Sequence, residues 1–154
     1  MTKTVRVLTL DPGESTGWCL GTISSEPQKT LVPIVGGTCA RNHIEVAELI
    51  ESIHPDILVF ERFNLYPGMA KSLSWNSFYP CEVIGVIRYT CDRLKIRYIE
   101  QAPGVKKFSG YTTKATTPGW STLKETGEQR VTEHTWDALL HLHYFFRNTP
   151  KGTI

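Results

Sequence analysis

VRVLTLDPGESTGWCL, residues 5–20, reads as a strand, a tight turn and a returning strand. Val5, Val7, Leu8 and Leu10 are the β-branched or bulky apolar residues that a buried strand needs. The run stops at Asp11-Pro12-Gly13, where Pro12 cannot donate to a sheet and Gly13 tolerates a turn. Thr16 to Leu20 then resumes an extended pattern that can pair antiparallel with the first strand. Asp11 is thereby placed at the carboxyl end of a buried strand, where ligands collect in α/β folds. Taken singly, it is a common turn former.

Around this hairpin the chain alternates strands and helices. Lys29 to Gly37 is a third strand, placed at an edge by Pro33, and short connections make the three a meander. Asn42 caps a helix to about Ser52, with Ile44, Ala47, Ile50 and Ile53 as its apolar face. Ile57 to Phe60 is a continuous apolar run, as in a strand covered on both faces, and it ends in Glu61. Strand, helix, strand implies a right-handed crossover, so this strand lies parallel to a meander strand. Asn64 to Tyr79 reads as a loop, and Pro80 opens a helix to about Leu94. The apolar residues of that helix, Val83, Ile84, Val86, Ile87, Cys91 and Leu94, span more than one stripe, which predicts a surface for a second copy. Ile96 to Glu100 is a fifth strand, and Pro103 to Glu128 shows no period and reads as mostly irregular. A last helix runs from about Thr132 to Arg147, with Trp136, Leu139, Leu140, His143 and Phe146 as its packed face. The fold class is therefore α/β: a five-stranded mixed sheet, three antiparallel strands then two parallel, flanked by helices.

The 154 residues suit a single domain, 1–154, with a tail from 148. An apolar share of 40% suffices for a core, and a net charge of +2 permits a nucleic-acid partner without demanding one. Cys19, Cys39, Cys81 and Cys91 form no CxxC pair and read as reduced thiols of a cytoplasmic protein. There is no signal-peptide core, and no apolar run approaches the roughly 20 residues that span a bilayer.

Asp11 and Glu61 each terminate a buried strand. If those strands are parallel neighbours, two like charges meet at one end of the sheet, a conflict that a divalent cation with oxygen ligands resolves. His134 and Asp137 lie three apart on the last helix and share a face, with Asp137 early enough to feel the positive end of the helix dipole. Singly, Asp137 reads as a solvated first-turn acid and His134 as a surface or capping histidine. His141 lies a turn deeper and is expected to pack or hydrogen-bond rather than act.

DPGESTG (Asp11, Pro12, Gly13, Thr16, Gly17), the Glu61 that ends ILVFE, and HTWDA (His134, Asp137, Ala138) together resemble the RuvC-type Holliday-junction resolvases of the RNase H-like superfamily. The resemblance spans about Val5 to Phe146. It implies an RNase H-like nuclease that resolves branched DNA such as four-way junctions by paired nicks, as a homodimer. It implies two Mg²⁺ ions, with Mn²⁺ as a substitute, held by Asp11, Glu61, Asp137 and His134. His134 would ligate, orient the nucleophile or shuttle a proton. Lys106, Lys107 and Lys114 would neutralise flanking phosphates, and Phe63, Tyr66, Trp75, Phe78 and Tyr79 could stack on unpaired bases. Other readings stay open: a flap or single-strand nuclease, an RNA-processing nuclease of the YqgF type, and a non-catalytic nucleic-acid binder. Sugar-kinase and actin-like ATPases also begin with an Asp-Gly turn, but they need a second domain that this length cannot hold.

Overall fold

A computed structural model describes residues 2–39, 43–64, 78–127 and 130–150. Its elements are β1 (Thr4–Asp11), β2 (Thr16–Ser24), β3 (Thr30–Cys39), α1 (His43–Ile53), β4 (Ile57–Glu61), α2 (Tyr79–Leu94), β5 (Arg97–Gln101), a 3-10 helix (Pro103–Phe108), α3 (Trp120–Thr126) and α4 (Glu133–Asn148). The strands form one sheet in the order β3-β2-β1-β4-β5. β1 pairs antiparallel with β2, and β2 with β3. β4 lies parallel between β1 and β5. The expected mixed sheet forms, with β3 at an edge.

Alternation along the central strands decides what each face carries. Val5, Val7, Ile57 and Val59 bury beneath α4 and α3, against Leu139, Leu142 and Trp120. Leu8, Leu10, Leu58 and Phe60 point the other way, onto Val46 and Ile50 of α1 and Val83 and Ile87 of α2. Each fully buried side chain of this size contributes about 2 kcal/mol, so a one-residue slip that reversed the faces would be costly. Leu10 pairs with Phe60 in register, so the next residue on each strand, Asp11 and Glu61, follows the α4 side. Thr9, on the same side, donates its hydroxyl to the Ala138 carbonyl at 2.7 Å and ties α4 to β1.

Several expectations are corrected. The buried face of α1 is Val46 and Ile50, while Ile44 is 66% exposed, because the helix packs into the core beside α2 through residues four apart. The proposed cap Asn42 lies outside the described residues. The segment after β5 is not mostly irregular: it holds the 3-10 helix and α3, each too short to show a period. The apolar arc of α2 is largely consumed by the core, with Val83, Ile84, Ile87, Thr90 and Cys91 buried. Gly85 and Tyr89 remain exposed, and Val86 is half-buried. α4 buries more than one stripe: Thr135, Ala138, Leu139, Leu140, His141, Leu142, His143 and Phe145 are enclosed, while Trp136 and Phe146 are half-buried. Its outer side is covered by the loop ahead of α3, where the Pro118 carbonyl lies 2.9 Å from His143 Nε2 and the Tyr111 ring packs on the His143 ring. That burial holds the His143 imidazole below its ordinary pKa despite the Pro118 hydrogen bond.

All four cysteines are free thiols. Burial raises those of Cys19, Cys39 and Cys91 above the usual thiol range, which makes them inert packing residues. Among the described residues, no helix is long and apolar enough to cross a membrane.

Candidate functional site

Four elements converge beyond the carboxyl ends of β1 and β4. β1 delivers Asp11, β4 delivers Glu61, α4 delivers His134, Asp137 and His141, and the 3-10 helix delivers Lys106. The turn after Asp11 is fastened by Thr16, whose hydroxyl lies within hydrogen-bond reach of the backbone N–H and carbonyl of Gly13.

The N-terminus of α4 is held unusually close to the sheet. Gly17 of β2 pairs with Asp11, and a Cβ on it would stand 2.0 Å from the His134 carbonyl carbon and oxygen. Only glycine permits that approach. Thr132 caps the helix by accepting from the His134 N–H at 3.2 Å, and the Thr135 hydroxyl accepts from the Thr132 N–H at 3.1 Å. Thr38 of β3 reaches both hydroxyls, at 2.9 and 2.8 Å. This threonine cluster fixes the first turn of α4, so the positions of His134 and Asp137 are set by sheet residues and not by a mobile side-chain stem.

Asp11, His134 and Asp137 present ligand atoms that all lie within 4.8 Å of one another. His134 Nδ1 donates to Asp11 Oδ2 at 2.9 Å. Burial is the main cause that lifts the Asp11 carboxyl from 3.8 to about 6; the His134 hydrogen bond opposes it, and the neighbouring Glu61 and Asp137 charges add to it. A buried carboxyl that resists ionisation beside two further acids is what a divalent cation would relieve, and Asp11 and Asp137 supply carboxylate oxygens of the kind such an ion takes. The donor set therefore fits such an ion.

Glu61 stands apart from that trio. His141, fully buried, donates from Nε2 to Glu61 Oε2 at 2.7 Å, while its Nδ1 lies 2.7 Å from Oε1 of Gln101, the β5 residue in register with Glu61. Lys106 Nζ lies 3.2 Å from the same Glu61 oxygen and 3.4 Å from Asp137 Oδ1. Burial alone would raise the Glu61 carboxyl, but the His141 hydrogen bond and the charges of His141 and Lys106 outweigh it and hold it below its ordinary value. Burial likewise works against the Lys106 ammonium, and Glu61 and Asp137 reverse that, so its pKa is raised. The acids are thus not without a counter-ion, as their sequence suggested; Lys106 supplies one. His141 is hydrogen-bonded as expected, but its partner is Glu61, which makes it part of the cluster. Its spacing of four from Asp137 was the available signal.

The other candidate residues are more dispersed. Lys107 is exposed with its ammonium 5.7 Å from the Phe108 ring centre, and Phe108 is itself exposed. Lys114 pairs with Glu133 and lies over Trp120 and Trp136, so it braces α4 and does not join the acids. Phe63 meets Phe78 edge-on at 6.3 Å and lines a cavity of about 210 Å³ that opens beside Glu61, between Pro12, Pro80 and Pro103. Tyr66 and Trp75 lie outside the described residues.

No protein-family model and no curated protein matches the sequence. Solved structures do match. The fowlpox virus Holliday junction resolvase aligns over 94% of this chain and 99% of its own, with a TM-score of 0.61 at 12% identity. Thermus thermophilus RuvC aligns over 92% of this chain and 95% of its own, with a TM-score of 0.57 at 16% identity. The yeast mitochondrial Holliday junction resolvase Ydc2 aligns over 93% and 78%, with a TM-score of 0.51 at 13% identity. The bacterial and poxviral proteins also match in their complexes with Holliday junction DNA. The five-stranded mixed sheet with helices on both faces is the fold that these Holliday junction resolvases share.

Proposed function

We propose that this protein is a metal-dependent endonuclease that hydrolyses phosphodiester bonds in branched DNA and resolves four-way junctions by paired nicks. The observation that carries the proposal is the convergence of Asp11, Glu61, His134 and Asp137 at one end of the sheet, on a fold shared with resolvases. Mg²⁺ is the expected cofactor, two ions when substrate is present, with Mn²⁺ as a substitute. A divalent cation in such a site polarises the scissile phosphate and acidifies a water.

The residues of the chain divide the remaining work. Asp11, Asp137 and His134 hold the cation, and Glu61 joins them from the neighbouring strand. His134 is the only one of these groups half open to solvent, with 46% of its side chain exposed, so it can pass a proton between the reacting phosphate and bulk water. His141 orients Glu61 as an outer partner orients a ligating carboxylate. Lys106 neutralises the reacting phosphate, and Lys107 with Phe108 meets the flanking strand. Phe63, bordering the cavity beside Glu61, and Tyr66 further along stack on unpaired bases at the branch point. Lys114 contributes a weaker backbone contact, since Glu133 already pairs with it.

A two-fold dimer would present two such sites to a two-fold-symmetric junction. The surface available for it is the strip of α2 with Gly85, Val86 and Tyr89, in the hollow between α1 and α2. Ultracentrifugation with and without a junction tests it; a single species at 17.4 kDa in both refutes the dimer. The function is tested by incubating labelled four-way junction, flap, single-stranded DNA and RNA side by side with Mg²⁺, Mn²⁺ or EDTA. Symmetric nicks in the junction that EDTA abolishes are expected. Equal cleavage of all substrates would replace the resolvase reading with a general nuclease, and no cleavage of any would overturn both.

A further inference from the structure

Lys106 occupies the space between Glu61 and Asp137. Its ammonium bridges Glu61 Oε2 and Asp137 Oδ1, at 3.2 and 3.4 Å. His141 already donates to the same Glu61 oxygen, and Glu61 is not among the donors gathered within 4.8 Å around Asp11. Charge argues in the same direction. Three carboxylates against the ammonium and the His141 charge leave the cluster singly negative, which a single divalent cation more than cancels. A second cation beside the ammonium would be uncompensated in a poorly solvated site. An incoming phosphodiester supplies negative charge and, in the same step, an alternative acceptor for the ammonium.

We propose that Lys106 keeps the second cation position closed, so that the chain alone takes up one divalent ion at Asp11, His134 and Asp137, and that substrate phosphate opens the second position by drawing the ammonium away. In the absence of DNA the ammonium offsets part of the acids' charge. It also makes full metal loading a consequence of substrate binding, which withholds hydrolytic power from the free protein. This inference rests on the proposed metal centre.

The test is Mn²⁺ titration of the full chain without DNA, followed by calorimetry and by electron paramagnetic resonance, which distinguishes a lone ion from a coupled pair. The unaltered chain is expected to bind a single ion. Lys106→Met keeps the aliphatic stem and is expected to gain a second, coupled ion, or to tighten total Mn²⁺ binding by about tenfold or more. Lys106→Gln, more polar at this half-buried position, should do the same, and Lys106→Arg should not. Adding Glu61→Gln to Lys106→Met should remove the gained ion. The proposal is overturned if the unaltered chain already binds a coupled pair, if neither neutral variant differs from it, or if the gained ion survives Glu61→Gln. Absence of Mn²⁺ binding in every form, with Asp11→Asn indistinguishable from the rest, would instead sink the metal centre itself and this inference with it.

Discussion

Asp11 and Glu61 end adjacent parallel strands, on the same face of the sheet and in step along it, and the protein surrounds them in opposite ways. Asp11 is buried with one half-exposed histidine for company, and its carboxyl rises to about 6. Glu61 receives a buried histidine and a lysine, and its carboxyl is held low. Backbone position is equivalent; the difference comes from what α4 and the 3-10 helix bring to each strand end. One carboxylate is prepared to receive a cation, and the other already has one.

The largest expected effect probes that asymmetry directly. Asp11→Asn, Asp137→Asn and Glu61→Gln should each lower junction cleavage by about a thousandfold, measured in single-turnover assays. Only the first two should also abolish Mn²⁺ uptake by the free protein. If Glu61→Gln abolishes it equally, the two strand ends are not distinct.

His141→Ala should follow, with turnover down about ten- to a hundredfold, as for loss of an outer-shell partner. It should also destabilise the fold by about 2–3 kcal/mol, because Glu61 loses a buried donor. His134→Ala should weaken Mn²⁺ binding with little change in stability. A His141 variant with normal melting and normal turnover would remove the support assigned to Glu61.

The third effect concerns pH. The Asp11 pKa is raised in the folded chain from 3.8 to about 6, so the folded state binds the extra proton between those values. The favourable contribution is complete below 3.8 and is lost as pH rises through about 6. Without metal, Asp11→Asn should therefore be more stable than the unaltered chain at pH 8, by on the order of 2 kcal/mol, and no more stable at pH 3.5. Urea unfolding at the two values checks this. The affinity for Mn²⁺ should fall below about pH 6 for the same reason.

The smallest effect separates the lysines. Lys107→Ala should reduce the log–log salt dependence of junction binding by about one unit, and Lys114→Ala by less, because Glu133 already neutralises it. Equal slopes would place Lys114 on the DNA.

The acids were legible because the alternation of β1 and β4 is regular and runs without a break into Asp11 and Glu61. The pairing of His134 with Asp137 was legible from a spacing of three near the start of a helix. Lys106 and His141 were not legible in their roles. Both depend on how a six-residue 3-10 helix folds back and how deeply α4 is buried, neither of which leaves a period. The exposed Ile44 shows the same limit in reverse: a spacing of three drew the α1 face through Ile44, and packing against α2 chose Val46 and Ile50 instead. α3 left a faint trace in Trp120 and Leu123, three apart and both buried, too brief to read against the surrounding threonines and glycines.

The missing side chain at Gly17 has a consequence for grafting and recombination between proteins. The hairpin that carries Asp11 and the helix that carries His134 are separated by more than a hundred residues, yet they touch where one has nothing and the other has backbone. They therefore behave as one heritable unit. A chimera that takes its hairpin from one parent and its last helix from another will keep its sheet, but any residue larger than glycine at position 17 will lift the helix and carry His134 away from Asp11. Crossovers that leave both segments with the same parent should yield active hybrids, and those that divide them should yield folded, inert ones.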